Sequence, residues 1–309
     1  MVNVFRSLAH ARTGLSTRTH LVLLVFALLV PVVAFAAILA GRYAAAERAG
    51  FERQALQTAQ QVAALIDRDL AGLQTALRTL STSARIRSGE FEAFHRQALE
   101  VRGFLGEHIV LRDLSGQQLV NTRVPWGTAL PRSALAVDAE VIATQRPVIS
   151  DVFVGAVAGA PIFSVVAPVL QDDVVTHLLS LSIATERLVP LLRAGLQPQW
   201  AAGAFDRNGL FIAQSERHAD VSGRPGPKPF IDAATSAQGV WRGDGLLGAP
   251  VLLGHAQSSL AGWRIWAGAP GAVIEAPWTR ALWLLAGLGL ALLAASLAMA
   301  YTVGAQIAR

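Results

Sequence analysis

The residue types that most often carry chemistry are scattered in this sequence. The seven histidines form no close pair and no HExxH motif, so the sequence does not indicate a helical zinc site. There is no cysteine, which excludes disulfides, thiolate metal sites and a cysteine nucleophile. No G-x-S-x-G motif is present, and the adjacent Asp172 and Asp173 are typical of a solvated turn. The sequence therefore predicts no catalytic site, no metal and no cofactor.

The stretch LVNTRVPWGTALP (119–131) is the strongest candidate for a binding site. Arg123 offers a fixed, planar cation that suits a carboxylate or a phosphate, and Trp126 offers an apolar wall. Two prolines stiffen the stretch, and Gly127 allows it to turn. We interpret it as a lid over a ligand. The alternative is that Arg123 is a solvated loop charge and Trp126 fills the core.

Three further candidate ligand contacts lie on predicted strands. Asp151 and Phe153 are two residues apart in PVISDVFVG (147–155), so their side chains are expected on one face of a strand. Asp151 would either pair with a ligand amine or cap a neighbouring loop. His177, in VVTHLLSLSIA (174–184), would either face a ligand or be an ordinary core or surface histidine.

Two apolar segments are long enough to cross a membrane. Residues 21–40 and 281–303 carry no charge, and about 20 helical residues cross a hydrocarbon layer of about 30 Å. The small residues of AFA (34–36) also fit a signal-peptidase site, but the first segment is longer than the apolar region of a signal peptide. The sequence thus favours two transmembrane helices.

The charge distribution predicts the orientation of these segments. Residues 1–20 and 304–309 hold four of the 26 basic residues and no acid, which leaves 22 basic against 21 acidic residues in 41–280. Basic flanks stay in the cytoplasm, so both ends are expected inside and 41–280 outside. The pI near 10.8 therefore reflects membrane topology, and no nucleic-acid partner is expected.

The exported region opens with a predicted helical stalk at 42–83, which contains no proline. Its apolar residues are spaced alternately by three and four, which is a heptad seam. They are Leu56, Ala59, Ala63, Ile66, Leu70, Leu73, Leu77 and Leu80. The seam would pack on its own domain, pair with a second copy of the chain, or do both along different lengths.

Periodicity then changes from helical to strand-like. A short helix at 90–103 is followed by a hairpin of 108–113 and 117–122, a helix at 131–146, and strands at 147–155, 161–171 and 174–184. A linking helix at 185–195 leads to a shorter repeat of the pattern. That repeat has a hairpin at 200–215, helical turns at 230–237, a second hairpin at 239–259 and a strand at 262–270. The expected fold class is α+β, with two PAS-like modules in series.

This order resembles the double Cache (PDC-type, tandem PAS-like) extracytoplasmic sensor region of alphaproteobacterial membrane sensor histidine kinases. The phrases that carry the resemblance are NTRVPWGTALP, PVISDVFVG, FDRNGLFIAQS and LGAPVLLGHAQSSLAGWRIWAGAP. The resemblance implies a distal unit at 104–184, a proximal unit at 199–270 and a cytoplasmic signalling segment that begins at 304–309. It also implies an inner-membrane, periplasm-facing, homodimeric sensor with a small-molecule ligand in the distal unit.

The sequence constrains the identity of the ligand and the type of signalling output less closely. The aromatic, arginine and aspartate motif of double Cache sensors for amino acids does not map completely here, and the two tyrosines, Tyr43 and Tyr301, lie at the membrane edges. A small organic anion is the preferred ligand. The rival functions are the sensor region of a chemoreceptor or of a cyclic-dinucleotide enzyme, and a membrane-anchored adaptor that binds another protein.

Overall fold

A computed structural model describes residues 17–245 and 248–307 of the chain. Most of the predicted cytoplasmic leader, 1–20, and the last two residues of the predicted signalling segment lie outside these ranges. The chain divides into two compact units. One contains the described residues up to Gly50 and from Ile274 onwards, and the other is Phe51–Val273.

Two long helices begin and end the described chain, α1 (Thr17–Ser81) and α8 (Gly271–Ile307). Pro31 lies inside α1 without ending it. Among the described residues, one helix, in α1, is long and apolar enough to cross a membrane, and its most apolar window has a mean hydropathy of 2.0. The apolar part of α8 that can be described, Ala286–Ser296, is shorter. The second span therefore stays a prediction.

The heptad seam of α1 packs on its own domain. Seven of its eight residues, from Ala59 to Leu80, are buried, and all seven belong to one core cluster with residues of both sheets. Leu56 is half-buried. Because this seam is occupied within the chain, a second copy would have to use another surface.

The first module contains one antiparallel sheet. Its strands are β1 (His108–Asp113), β2 (Gln118–Asn121), β3 (Val148–Ile149), β4 (Phe153–Val154), β5 (Pro161–Gln171) and β6 (Val174–Ala184). Their order is β2-β1-β6-β5-β3, and β4 also pairs with β5. The helices α2 (Ala84–Arg87) and α3 (Phe91–Leu105) precede the sheet, and α4 (Asp138–Thr144) follows β2. Asp172 and Asp173 form the tight turn between β5 and β6, both with positive φ, as the sequence predicts.

The second module repeats this topology. A 3-10 turn (Thr185–Arg187) and α5 (Leu188–Arg193) lead into it. Its elements are β7 (Ala201–Phe205), β8 (Phe211–Gln214), α6 (His218–Val221), α7 (Lys228–Ala233), β9 (Gln238–Asp244), β10 (Pro250–Gln257) and β11 (Arg264–Pro270). The order β8-β7-β11-β10-β9 is the order of the first sheet, which makes both modules PAS-like. The α+β class is thus confirmed, with one long N-terminal helix and two antiparallel sheets.

Two of the predicted elements are wrong in their extent. The helix predicted over 131–146 forms only as Asp138–Thr144, because the side chain of Asp138 accepts a hydrogen bond from the amide of Leu135 and the segment before it runs along β2. The strand predicted over 147–155 is interrupted between β3 and β4. Asp151 therefore does not share a strand face with Phe153, contrary to the expectation.

Candidate ligand-binding site

The two faces of the first sheet differ in chemistry because side chains alternate along each strand. On one face, Leu111, Leu179 and Ala167 lie side by side and belong to the core cluster that contains the α1 seam. On the other face, Val110, Ser180 and Val166 form the equivalent row, and Ser182 pairs with Ser164 in the next one. Serines in a sheet interior leave room and hydrogen-bonding groups where large apolar side chains would fill the space.

A cavity of about 40 Å³ lies on this serine-bearing face. Its floor comes from β1, β5 and β6, and its sides come from β2, the segment before α4 and the short loop 155–158. The polar lining residues are Arg112, Gln118, Asn121, Arg123, Ser133, Ser164, Ser180 and Ser182. None of the described residues that line it is acidic.

Arg112 is a structural cation of this cavity. It is 1% exposed and makes two parallel hydrogen bonds to the carboxylate of Asp138, at 2.6 and 2.7 Å. It also donates to the carbonyl oxygen of Ser133 at 2.6 Å. Fork-to-fork pairing of this kind satisfies a guanidinium and fixes its plane. Arg112 therefore holds the cavity wall in place, and its charge is balanced by the protein.

Arg123 is a cation whose guanidinium has no hydrogen-bonded partner in the part of the chain that the structure describes. Its backbone amide donates to the side chain of Asn121 at 2.9 Å, but within residues 17–245 and 248–307 its guanidinium has no hydrogen bond or ion pair. Burial and the nearby Arg102 lower the pKa of Arg123, while Glu107 acts in the opposite direction. A half-buried guanidinium without a hydrogen-bonded partner has N–H donors ready for an anion.

His108, close to Arg123, experiences the same positive electrostatic potential. Burial, Arg123 and Arg102 together lower the pKa of His108 to about 4. His108 is therefore neutral at physiological pH. A bound anion beside Arg123 would favour the charged imidazolium and would raise this pKa.

Trp126 does not line the same cavity as Arg123. Its ring lies 5.9 Å from that of His95 on α3, and it is 46% exposed. Together with Val124 and Pro125 it borders a separate, open cleft of about 230 Å³ beside β2. Trp126 thus lies on the α3 side of β2, outside the first cavity, and the lid over a ligand stays a prediction.

Asp151 is held by groups of the second module. Its carboxylate accepts hydrogen bonds from the side chain of Arg207 at 2.9 Å and from that of Asn208 at 3.1 Å. The backbone amide of Arg207 also donates to it, at 3.1 Å. These contacts correspond to the loop-capping alternative for Asp151.

The last two candidates separate as well. Phe153, on β4, lines the cavity near Arg123. His177, on β6, packs against the ring of Phe91 on α3 with centroids 5.7 Å apart, and burial lowers its pKa. The structure therefore brings Arg123 and Phe153 together and places Trp126, Asp151 and His177 elsewhere. Ligand binding by any of the five stays a prediction.

Sequence reasoning missed Arg112, Asp138 and the serines. The signals were present as polar residues at every second position in otherwise apolar strands, such as Ser180 and Ser182 in LLSLSIA. Sequence reasoning also missed the loop 155–158, although small residues allow a loop to pack closely against a strand. A Cβ at Gly155 would come 2.6 Å from Ile162 Cδ1, so glycine lets this loop lie close to β5 without displacing that side chain.

No family model matches the sequence, and no curated protein matches it either. Solved structures do match. The extracellular domain of the histidine kinase rpHK1S-Z16 has a TM-score of 0.59 and 13% identity, over 72% of this chain and 96% of that one. The ligand-binding domain of Mlp24 with asparagine has a TM-score of 0.57 and 20% identity, over 76% and 98%. The ligand-binding domain of the Campylobacter jejuni chemoreceptor Tlp3 with L-valine has a TM-score of 0.56 and 10% identity, over 75% and 97%.

These neighbours are Cache sensor domains of histidine kinases and chemoreceptors. At such identities the likeness shows the fold, and the predicted resemblance to double Cache sensors is confirmed at that level. The alphaproteobacterial part of the resemblance stays a prediction.

Proposed function

We propose that this chain is the extracytoplasmic sensor and transmembrane region of a two-component histidine kinase, and that its first module binds a small organic anion. The observation that supports it best is the unpaired guanidinium of Arg123 in a polar cavity without an acidic lining residue. The similarity in fold to a histidine kinase extracellular domain supports the sensory role.

An anion fits this cavity better than an amino acid does. Two of the neighbours hold asparagine and L-valine. An α-ammonium group needs a carboxylate or several carbonyl acceptors when it is buried. The described lining offers the guanidinium of Arg123, amides and hydroxyls but no carboxylate, since Arg112 is already paired with Asp138. A ligand with one carboxylate and no amine therefore matches the available partners.

The size of the cavity limits the ligand further. About 40 Å³ is space on the scale of roughly three water molecules. This favours a carboxylate of about two to four carbons. The carboxylate would bind the guanidinium of Arg123, and its second oxygen would accept from Gln118 or Asn121. The carbon end of the ligand would contact Phe153.

The ligand proposal predicts that Arg123 decides affinity. With the full chain in lipid nanodiscs, we expect heat of binding for at least one of acetate, propionate, lactate and pyruvate, and none for the corresponding amides. Arg123→Gln should weaken the bound acid by about 10- to 100-fold, because a hydrogen bond to a charged group contributes about 1.5–3 kcal/mol. Calorimetry measures this directly.

Arg132→Gln is the matched control, since Arg132 is exposed and lies in the same segment outside the cavity. It should leave the affinity unchanged. As a second readout, the bound acid should raise the pKa of His108, which an NMR titration with and without the acid measures. Equal loss in both variants, or no heat with any of the four acids, would contradict the anion assignment.

We also propose that the chain spans a bacterial inner membrane twice. Large apolar side chains of α1, such as Phe35 and Ile38, are more than half exposed, and so are Leu284 and Leu290 of α8. Exposed apolar surface of this extent is typical of a membrane-embedded segment. The basic flanks would keep both ends in the cytoplasm and place 41–280 in the periplasm.

Reporter fusions test this topology. Alkaline phosphatase inserted at Gly159 or Gly223, both in loops of the exported region, should be active because it folds only outside the cytoplasm. The same enzyme fused after residue 309 should be inactive. Activity with the opposite pattern would show that the orientation is wrong.

Signalling would follow from differential affinity. A ligand that binds one conformation of the first module more tightly than another shifts the equilibrium towards it. The shift in free energy equals the difference between the two binding free energies and no more. A homodimer, as expected from the resemblance, would form its contacts outside the buried seam of α1.

A further inference from the structure

The second module contains a cavity that differs from the first in size and chemistry. Its volume is about 220 Å³, and it opens on the outer face of the second sheet. It is bordered by residues of β7, β8, β9, β10 and β11 and by α7. Nothing in the anion proposal uses this space.

The walls of this cavity are aromatic. Five rings line it, those of Phe205, Phe211, Phe230, Trp241 and Trp266. Phe205 lies 4.3 Å from Phe211 and 5.6 Å from Phe230, and the ring of Phe230 meets Trp241 edge-on at 5.2 Å. Rings in such contact are rigid apolar surfaces, and they suit the face of a planar molecule.

Two polar atoms in the same lining have no partner. The indole Nε1–H of Trp266 and the Oε1 of Gln214 are both buried, and within the described residues neither makes a hydrogen bond. Trp266 is 7% exposed. Buried donors and acceptors are nearly always paired in folded proteins, so two unpaired groups of opposite kind beside one cavity call for an occupant.

The backbone places these two groups in one row across the sheet. Gly203 on β7 is paired with Trp266 on one side and with Gln214 on the other. A side chain at position 203 would come 2.6 Å from the indole ring. Glycine is therefore required at position 203, because the indole ring of Trp266 lies directly over this strand. The strand itself lies between the one that carries the indole donor and the one that carries the amide acceptor.

We propose that this cavity is a second ligand site, which takes an uncharged planar molecule that carries a carbonyl beside an N–H, as in a lactam. On binding, each side chain turns its buried atom towards the ligand: the carbonyl oxygen accepts from Trp266 Nε1–H, and the N–H donates to Gln214 Oε1. The ring body packs between Phe205, Phe230 and Trp241. The ligand class is thus distinct from that of the first module.

The charges at the site agree with a neutral ligand. Glu216 and Arg217 are the charged lining residues, and they carry opposite signs. Arg217 is already paired with Asp220 at 3.2 Å. Glu216 and Arg217 are both exposed, so water screens their charges, whereas burial of an apolar ring against the aromatic walls is favourable.

The pair 2-quinolinone and N-methyl-2-quinolinone tests the assignment, because the two differ only at the N–H. With the full chain in lipid nanodiscs and empty nanodiscs as baseline, we expect calorimetry to show at least about 10-fold tighter binding of 2-quinolinone, since its analogue leaves Gln214 Oε1 unpaired. Gln214→Met should remove this preference. The matched variant Gln171→Met, at an exposed position outside both cavities, should keep it.

A second readout is measured on the wild-type chain. The Nε1–H resonance of Trp266, identified by its disappearance in Trp266→Phe, should shift on addition of 2-quinolinone and not on addition of the N-methyl compound. If both compounds bind equally, as in a space that simply accepts lipid chains, the proposal is overturned. The absence of both binding and shift overturns it as well.

Discussion

Replacing Asp138 with alanine is expected to lower the free energy of unfolding by about 3–5 kcal/mol, which is the usual cost of breaking a buried ion pair from one side. Arg112 would keep its charge at a site where it is 1% exposed. It would lose two of the hydrogen bonds that satisfy it. Denaturant unfolding of the full chain in detergent, followed by near-UV circular dichroism, measures the change.

The same substitution should also disturb the first cavity. The carboxylate of Asp138 accepts from the amide of Leu135, and Arg112 binds the carbonyl of Ser133, so the ion pair holds the segment that forms one wall. Ser133 and Leu135 both line the cavity. We therefore expect any carboxylate that binds the wild-type chain to bind Asp138→Ala at least about 10-fold more weakly.

A surface ion pair supplies the control. Glu92 and Arg96 pair at 2.7 Å along α3, but their side chains are 59% and 66% exposed. Glu92→Ala should cost no more than about 0.5 kcal/mol. The double variant Arg112→Met with Asp138→Leu should recover much of the stability, because it removes the uncompensated charge. A cost for Asp138→Ala as small as that of Glu92→Ala would contradict the structural role of the pair.

The second large effect is expected for Trp263→Ala. Trp263 is fully buried at 0% exposure and is the largest of the fully buried side chains. Its ring meets that of Phe163 edge-on, with centroids 4.9 Å apart. Removal of a buried tryptophan leaves a large cavity and is expected to cost about 3–5 kcal/mol. Its Nε1 has no hydrogen-bond partner among the described residues, so the loss is one of packing.

This contact joins the two sheets. Phe163 lies on β5 of the first sheet, and Trp263 immediately precedes β11 of the second. We therefore expect the two modules of the wild-type chain to unfold in a single transition, and Trp263→Ala to lower its midpoint for both. Trp126→Ala is the matched control, because Trp126 is 46% exposed and should cost no more than about 1 kcal/mol. Similar costs for the two tryptophans would refute this account of the core.

The sequence by itself determined the features that depend on local periodicity. The heptad spacing of α1 predicts its buried seam, since residues three and four apart lie on one helix face. The alternation of β1, β5 and β6 predicts strands, and Asp172–Asp173 predicts the turn between two of them, which needs residues that tolerate positive φ. The order of these elements was enough to indicate two PAS-like modules.

Only the tertiary structure decided which polar groups are free to bind. Arg112 pairs with Asp138, which is 26 positions away in the sequence, and Asp151 pairs with Arg207, which is 56 positions away. Neither residue is therefore available to a ligand. Among the described residues the guanidinium of Arg123 has no such partner, and the local sequence that made it a candidate could not establish this. Pairing between residues that are distant in the sequence depends on how the sheet brings them together. That arrangement cannot be recognised from any periodicity of the sequence.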